Sequence, residues 1–171
     1  MQGGVRGLAP PPTIPPEDRP YPYTTPTPPA EPTPIDGTYI RILDVGDTGP
    51  LPQGLPWRCQ RCLPYRPDLG VSTLIFYQGE FYLNHMLSGF KTQGHFVVSG
   101  DRIEIFNDPN CPLDRATYRW RETGGTLALT LVGDPCDYGD IRAFDLTRKP
   151  WVRVNPCVYR FRNLWPTAIA C

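Results

Sequence analysis

The residues of this chain best suited to chemistry are its six cysteines and two histidines. Cys59 and Cys62 have the Cys-x-x-Cys spacing of a redox dithiol, and Arg58 and Arg61 would favour a thiolate there. A redox dithiol works at the N-terminus of a helix that follows a strand. Here the pair is flanked by Pro56, Trp57 and Pro64, in a proline-rich stretch without a strand–helix signal. A structural disulfide is therefore favoured over a redox or metal role. His85 and His95 stand symmetrically about the stretch 87–93, so one hairpin register would set them opposite each other as a metal or acid–base pair. That register turns Phe96 and Val98 outward while Phe81, Leu83 and His85 face in, against the apolar pattern, so two separate hydrogen-bonded histidines are expected. No nucleophile elbow, HExxH helix or phosphate-cradling glycine loop occurs, and the carboxylates are scattered. No catalytic residue, cofactor or metal is assigned.

The elements that position these residues read as strands. From Asp36 and Gly37 onward, runs rich in β-branched and aromatic residues fall at 38–44, 72–77, 80–86, 94–98, 101–107, 116–121, 126–132 and 140–146. Eight strands close a small antiparallel barrel. Short glycine turns at Gln78-Gly79, Ser99-Gly100 and Thr123-Gly124-Gly125 alternate with longer connections at 45–71, 87–93, 108–115 and 133–139. In an up-and-down meander alternate connections share a pole, which gives a closed floor and a loop-bearing mouth. The fold expected is all-β, an eight-stranded antiparallel up-and-down barrel over 37–153, with a tail at 154–171. Residues 1–36 carry 12 of the 23 prolines and few large aliphatic side chains, the composition of a disordered proline-rich tether.

The meander gathers Cys59, Cys62, Cys111 and Cys136 at the mouth. Cys111 and Cys136 are natural partners, closing a loop of about 26 residues worth on the order of 3 kcal/mol, and Cys157 with Cys171 closes the tail. Six cysteines allow fifteen pairings, so this connectivity is an expectation. A four-thiolate zinc site is the alternative. Inward-facing positions are Ile103 and Ile105, Tyr118 and Trp120, and Leu127, Leu129 and Leu131; they would line a ligand chamber or fill a core. The Tyr118 phenol and Trp120 indole would need polar partners, which a ligand or a water could supply.

The stretches Phe96 to Phe106, Tyr118 to Arg121, Gly124 to Leu129 and Asp134 to Cys136, with a closing Pro150-Trp151, resemble the lipocalin and wider calycin superfamily. The nearest likeness is to small lipocalin-like domains of bacterial envelope and exported proteins. In lipocalins a Gly-x-Trp opens the first strand and an arginine near the end of the last strand packs across the Trp. Here Gly37-Thr38-Tyr39 stands in that place, and the resemblance implies Arg148, rather than the mouth-end Arg142, as the covering arginine.

With 17 basic and 17 acidic residues in 171, the chain has no net charge to attract nucleic acid or an anionic membrane, and no stretch of about 20 apolar residues spans one. Six cysteines suit an oxidising compartment, so an extracellular or cell-envelope location is expected. The first residues lack a signal-peptide core, and a truncated or processed start is the expectation that reconciles the two. The leading functional expectation is a non-catalytic binding module for a small apolar ligand or an envelope protein partner. A structural or interaction domain with a packed core is the first alternative, and a Cys-x-x-Cys redox or zinc protein the second.

Overall fold

The computed structural model describes residues 25–48, 69–111, 115–136, 141–155, 159–162 and 165–168. Eight strands form a closed antiparallel barrel in chain order: β1 (Gly37–Leu43), β2 (Gly70–Tyr77), β3 (Glu80–His85), β4 (Lys91–Ser99), β5 (Arg102–Phe106), β6 (Ala116–Thr123), β7 (Thr126–Gly133) and β8 (Trp151–Asn155), with β8 returning to β1. A four-residue helix, α1 (Val45–Thr48), follows β1, and α2 (Ile141–Thr147) lies between β7 and β8. A separate hairpin, β9 (Tyr159–Arg162) with β10 (Trp165–Ala168), occupies part of the tail.

Alternation sets the faces. In register, Tyr39 lies beside Leu74 and Leu74 beside Leu83; Phe76 pairs with Phe81, Phe96 with Ile105, and Ile103 with Tyr118. All of these are buried and belong to one core with Leu127, Leu129 and Trp151. Phe76 meets Tyr39 and Phe96 edge-on, at ring centroid distances of 6.4 and 4.8 Å. Such T-shaped pairs add to plain burial. Gly94 is where the wall comes closest to itself: a Cβ there would stand 2.6 Å from the Phe81 ring and 2.7 Å from the Phe106 carbonyl.

The polarity expected from the turns holds. Gln78 and Gly79, both with positive φ, close β2–β3 as a tight hairpin, and Gly124-Gly125 close β6–β7 in the same way. The described ends of the longer connections share the opposite pole.

Four expectations change. Where the eighth strand was expected at 140–146, the described residues Ile141–Thr147 form a helix: Arg142, Asp145 and Leu146 are buried with Ala143, a spacing of three and four that only a helix directs to one side. The eighth strand follows Pro150 instead. It pairs with β7 only at Thr126 and Leu127 and with β1 at Thr38 to Ile40, so it completes the floor half of the wall. Toward the mouth, α2 packs against β7 and fills the place of a longer strand. The proline-rich segment also ends earlier than expected. Thr25 to Asp36 lie on the barrel: Ile35 is fully buried, its carbonyl accepts from the Tyr39 hydroxyl (2.9 Å), and Asp36 Oδ2 accepts from the Gln78 amide (3.1 Å). The other end of the domain moves too, since β8 carries the wall past 153 to Asn155.

The covering arginine moves with the eighth strand. Arg153 on β8, not Arg148, lies 5.0 Å over the Tyr39 ring, and its Nη2 donates to the Tyr39 hydroxyl (2.6 Å) and to Glu122 (2.7 Å). Arg148 lies on the surface and donates to the Asp47 carbonyl (2.6 Å). A second pair inverts the roles: Arg41 of β1 sits 4.2 Å over Trp151 of β8.

Candidate functional site

The inward faces change character toward the mouth. Along β1, Tyr39 is followed two residues on by Arg41; β2 begins its inward row with Ser72, β3 ends its row with His85, and β4 begins with Thr92. All four polar side chains are buried. Asp108 and Asn110 join them from the β5–β6 connection, and Asp134 from the start of the β7–α2 connection. Burying so many polar groups is costly unless each finds a partner, and α2 supplies some of the partners.

Arg142 of α2 grips Asp134 with a two-pronged contact, Nε to Oδ2 at 2.8 Å and Nη2 to Oδ1 at 2.5 Å. Asp134 also accepts from the Tyr118 hydroxyl and the Cys136 amide. Burial opposes its ionisation, but the bonds from Arg142 and Tyr118 outweigh it and hold the carboxyl below its ordinary value. Burial, and then the Asp134 charge, push the Tyr118 phenol up. Burial works against the charge on Arg142, yet its bonds to Asp134 raise its pKa further. Asp108 lies 3.6 Å from Arg142 Nη1 and accepts from Thr92 (2.8 Å) and from the Asn110 amide (2.9 Å). The disulfide Cys111–Cys136, with Cα atoms 5.5 Å apart, ties the β5–β6 connection to the one that carries α2.

Asp145, one turn further along α2, faces the other wall. Its carbonyl accepts from Arg41 Nη1, and its Oδ2 lies 3.4 Å from His85 Nε2, while His85 Nδ1 is 3.0 Å from the Ser72 hydroxyl. Ser72, His85 and Asp145 thus stand in a row whose types match a nucleophile–base–acid relay. Ser72 and His85 are both fully buried in the wall. The row joins β2 to β3 by a hydrogen bond and β3 to α2 by a polar contact.

Leu83, Phe90, Thr92, Asp108, Arg142 and Asp145 help to line a mouth cavity of about 20 Å³. That is room for one water, not for an apolar ligand. Arg142 Nη1, buried and without a hydrogen-bond partner, faces this space. A water there would bridge it to Asp108 across a gap too long for a direct bond.

Of the residues singled out from sequence, Ile103, Ile105, Tyr118, Leu127 and Leu129 lie in the buried core. Trp120 is half-buried against it. Leu131 is 45% exposed, because it lies beyond the two positions where β8 covers β7. The two polar groups that needed partners have them within the chain: Tyr118 bonds to Asp134 and the Trp120 indole to the Gly100 carbonyl (3.0 Å). His85 and His95 are on opposite faces, since the register sets Glu80 opposite His95 and Asn84 opposite Lys91. Cys111 and Cys136 pair as expected, which withdraws two thiolates from the four-cysteine zinc reading. Cys59, Cys62, Cys157 and Cys171 lie outside the described residues.

Arg41, Ser72, Thr92, Asp108 and Asp145 are not marked by the sequence reading, and Asp134 and Arg142 figure there only in the family resemblance, without a site role. The first three carried a usable signal: each is a polar residue in phase with an apolar inward row.

The closed eight-stranded antiparallel barrel is compatible with a lipocalin-like fold. The chain matches no protein family, no curated protein and no solved structure. Among the described residues, no helix is long and apolar enough to cross a membrane.

Proposed function

We propose that the protein is a non-catalytic interaction module that works through its outer surface and mouth loops, in an extracellular or cell-envelope setting. The observation that carries this reading is the densely buried core among the described residues. Tyr39, Phe76, Phe96, Ile103, Tyr118 and Trp151 are fully buried in one core, and the cavity at the plugged mouth is water-sized. A barrel that stores an apolar ligand needs a chamber of roughly 300 Å³ or more. The same pole exposes Val45, Met86, Leu87 and Phe144, the kind of apolar rim that protein contacts use. The Cys111–Cys136 disulfide supports an oxidising compartment.

Native mass spectrometry of the purified protein, with titration by an apolar fluorophore, tests the reading. Protein free of small molecules, with no saturable fluorophore site, is expected. A stoichiometric co-purified lipid or other apolar molecule would overturn it in favour of a ligand-carrying barrel.

A further inference from the structure

His95 occupies an outward position on β4, between the inward Gly94 and Phe96, yet only 5% of it is exposed. It sits opposite Glu80 on β3 and Phe106 on β5, with the Phe106 ring stacked at 6.2 Å. The segment Thr25 to Asp36 runs over this side of the barrel. It passes the Gly79 turn at Pro28 and Pro29 and reaches Asn107, which is itself buried, at Thr25.

Asn107 joins the two. Its Oδ1 accepts from the Thr25 amide (3.0 Å), and its Nδ2 donates to the Thr25 carbonyl (2.8 Å) and lies 3.3 Å from His95 Nδ1. The Thr25 bonds fix which way the carboxamide points, because the oxygen must face the N–H and the nitrogen the C=O. The second Nδ2 hydrogen then meets His95 Nδ1, which must offer a lone pair. The docked strap therefore requires a neutral imidazole carrying its proton on Nε2. An imidazolium would set an N–H against the amide NH2. Turning the carboxamide over relieves that clash, but it presents NH2 to the Thr25 N–H and oxygen to the Thr25 C=O, and both strap bonds are lost.

We infer that protonation of His95 releases the N-terminal strap from the barrel wall at Thr25, making this contact a pH-sensitive latch. Burial holds the His95 pKa below its ordinary value, the direction that exclusion of the charged form requires. The sign follows. Docking at Thr25 is fully supported above the ordinary histidine value of about 6.5, and is lost as pH falls through the lowered value. Among the described residues, other titratable or charged groups on the elements around His95 are Lys91 on β4, Glu80 and Tyr82 on β3, Arg102 and Glu104 on β5, Arg115 over the Phe106 ring, and Glu31 and Asp36 on the strap. Glu80 would favour the imidazolium and so acts against the latch.

The test is NMR of the full chain between about pH 7.5 and about pH 4.5, the range in which histidine switches. It follows the His95 ring and the protection of the Thr25 amide, corrected for intrinsic exchange. Thr25 protection is expected to fall by up to about tenfold per pH unit between about pH 6.5 and the lowered His95 midpoint, and to level off below it, while the Ile105 amide stays protected. His95→Gln should hold Thr25 protection flat with pH, and Glu80→Gln should keep the acid loss. Asn107→Asp gives up the bond to the Thr25 carbonyl and so should lower Thr25 protection at neutral pH, but its carboxylate accepts from both the Thr25 amide and an imidazolium, so it should raise the His95 midpoint and remove the acid loss of Thr25 protection. Thr25 protection that is unchanged while His95 titrates would overturn the latch, as would an undiminished acid loss in His95→Gln. If His95→Gln does not fold, an unaltered acid loss in Asn107→Asp overturns it instead.

Discussion

Replacing Arg142 with Met asks whether α2 is held in the mouth by charge. Met keeps most of the buried stem, so the packing loss is small. The guanidinium is what disappears, and with it both bonds to Asp134, the ion pair to Asp108 and the partner of two carboxylates that are almost completely buried. Removing one member of a buried pair costs about 3–5 kcal/mol, because the other charge is stranded. Against a domain stability of about 5–15 kcal/mol this is a large loss. The pH dependence makes the test sharper. In the native protein the Asp134 pKa is lowered, so its contribution is present above the unfolded value of about 3.9 and is lost as pH falls through the folded value. Without Arg142, burial meets less opposition and raises that pKa above the unfolded value. Ionised Asp134 then becomes a penalty at neutral pH that protonation relieves. Urea midpoints followed by tryptophan fluorescence at about pH 7 and about pH 4 should show the gap between native and Arg142→Met narrowing in acid, and Asp134→Asn added to Arg142→Met should recover part of the loss at neutral pH. A destabilisation below about 1 kcal/mol, or one that does not change with pH, would refute the charge-held plug.

Three further outcomes are expected. Leu127→Ala should cost about 2–5 kcal/mol and Leu131→Ala under about 1 kcal/mol, since one side chain is fully buried and the other 45% exposed on the same strand; equal urea midpoints would contradict the early end of the β7–β8 pairing. Burial pushes the Tyr39 phenol up to about 12, so it should support stability below pH ~10 and lose that support as pH rises toward ~12; ultraviolet phenolate titration should lose one late-ionising group in Tyr39→Phe. Peptide mapping without reduction should recover Cys111 joined to Cys136, and replacing both by Ser should lower stability by on the order of 3 kcal/mol; recovery of Cys59 joined to Cys111 would contradict the pairing.

Seven of the eight strands were legible because their apolar residues alternate against one core, as in Leu74, Phe76 and in Phe81, Leu83. The eighth was misplaced for a physical reason. Ile141 to Leu146 carries the β-branched and aromatic residues of a strand, and a seven-residue helix has little intrinsic signal to compete with them. Its helical character comes from tertiary contacts, Arg142 to Asp134 and Asp145 to the β1–β3 wall, that lie far away in sequence. The error propagated to the covering arginine, since the position counted from a strand at 140–146 falls on Arg148 and the position on the true strand is Arg153. The strap was missed because composition marks Thr25 to Asp36 as a linker, and only Ile35, the large aliphatic among the prolines there, hints at burial.

The misplaced helix and the overlooked polar residues have one cause. A wall that closes only at its floor leaves the mouth-side halves of β7 and β1 without a strand between them. A polar-faced helix can fill that gap only if the inward rows offer it partners. Arg41, Ser72, His85 and Thr92 sit where those rows reach the mouth, and on an apolar-ligand barrel they would each cost a desolvated polar group lining the entrance. With α2 in place the same residues bind its carbonyl and carboxylate, or hold the groups that do. Polar residues in phase with this barrel's interior thus mark where α2 docks.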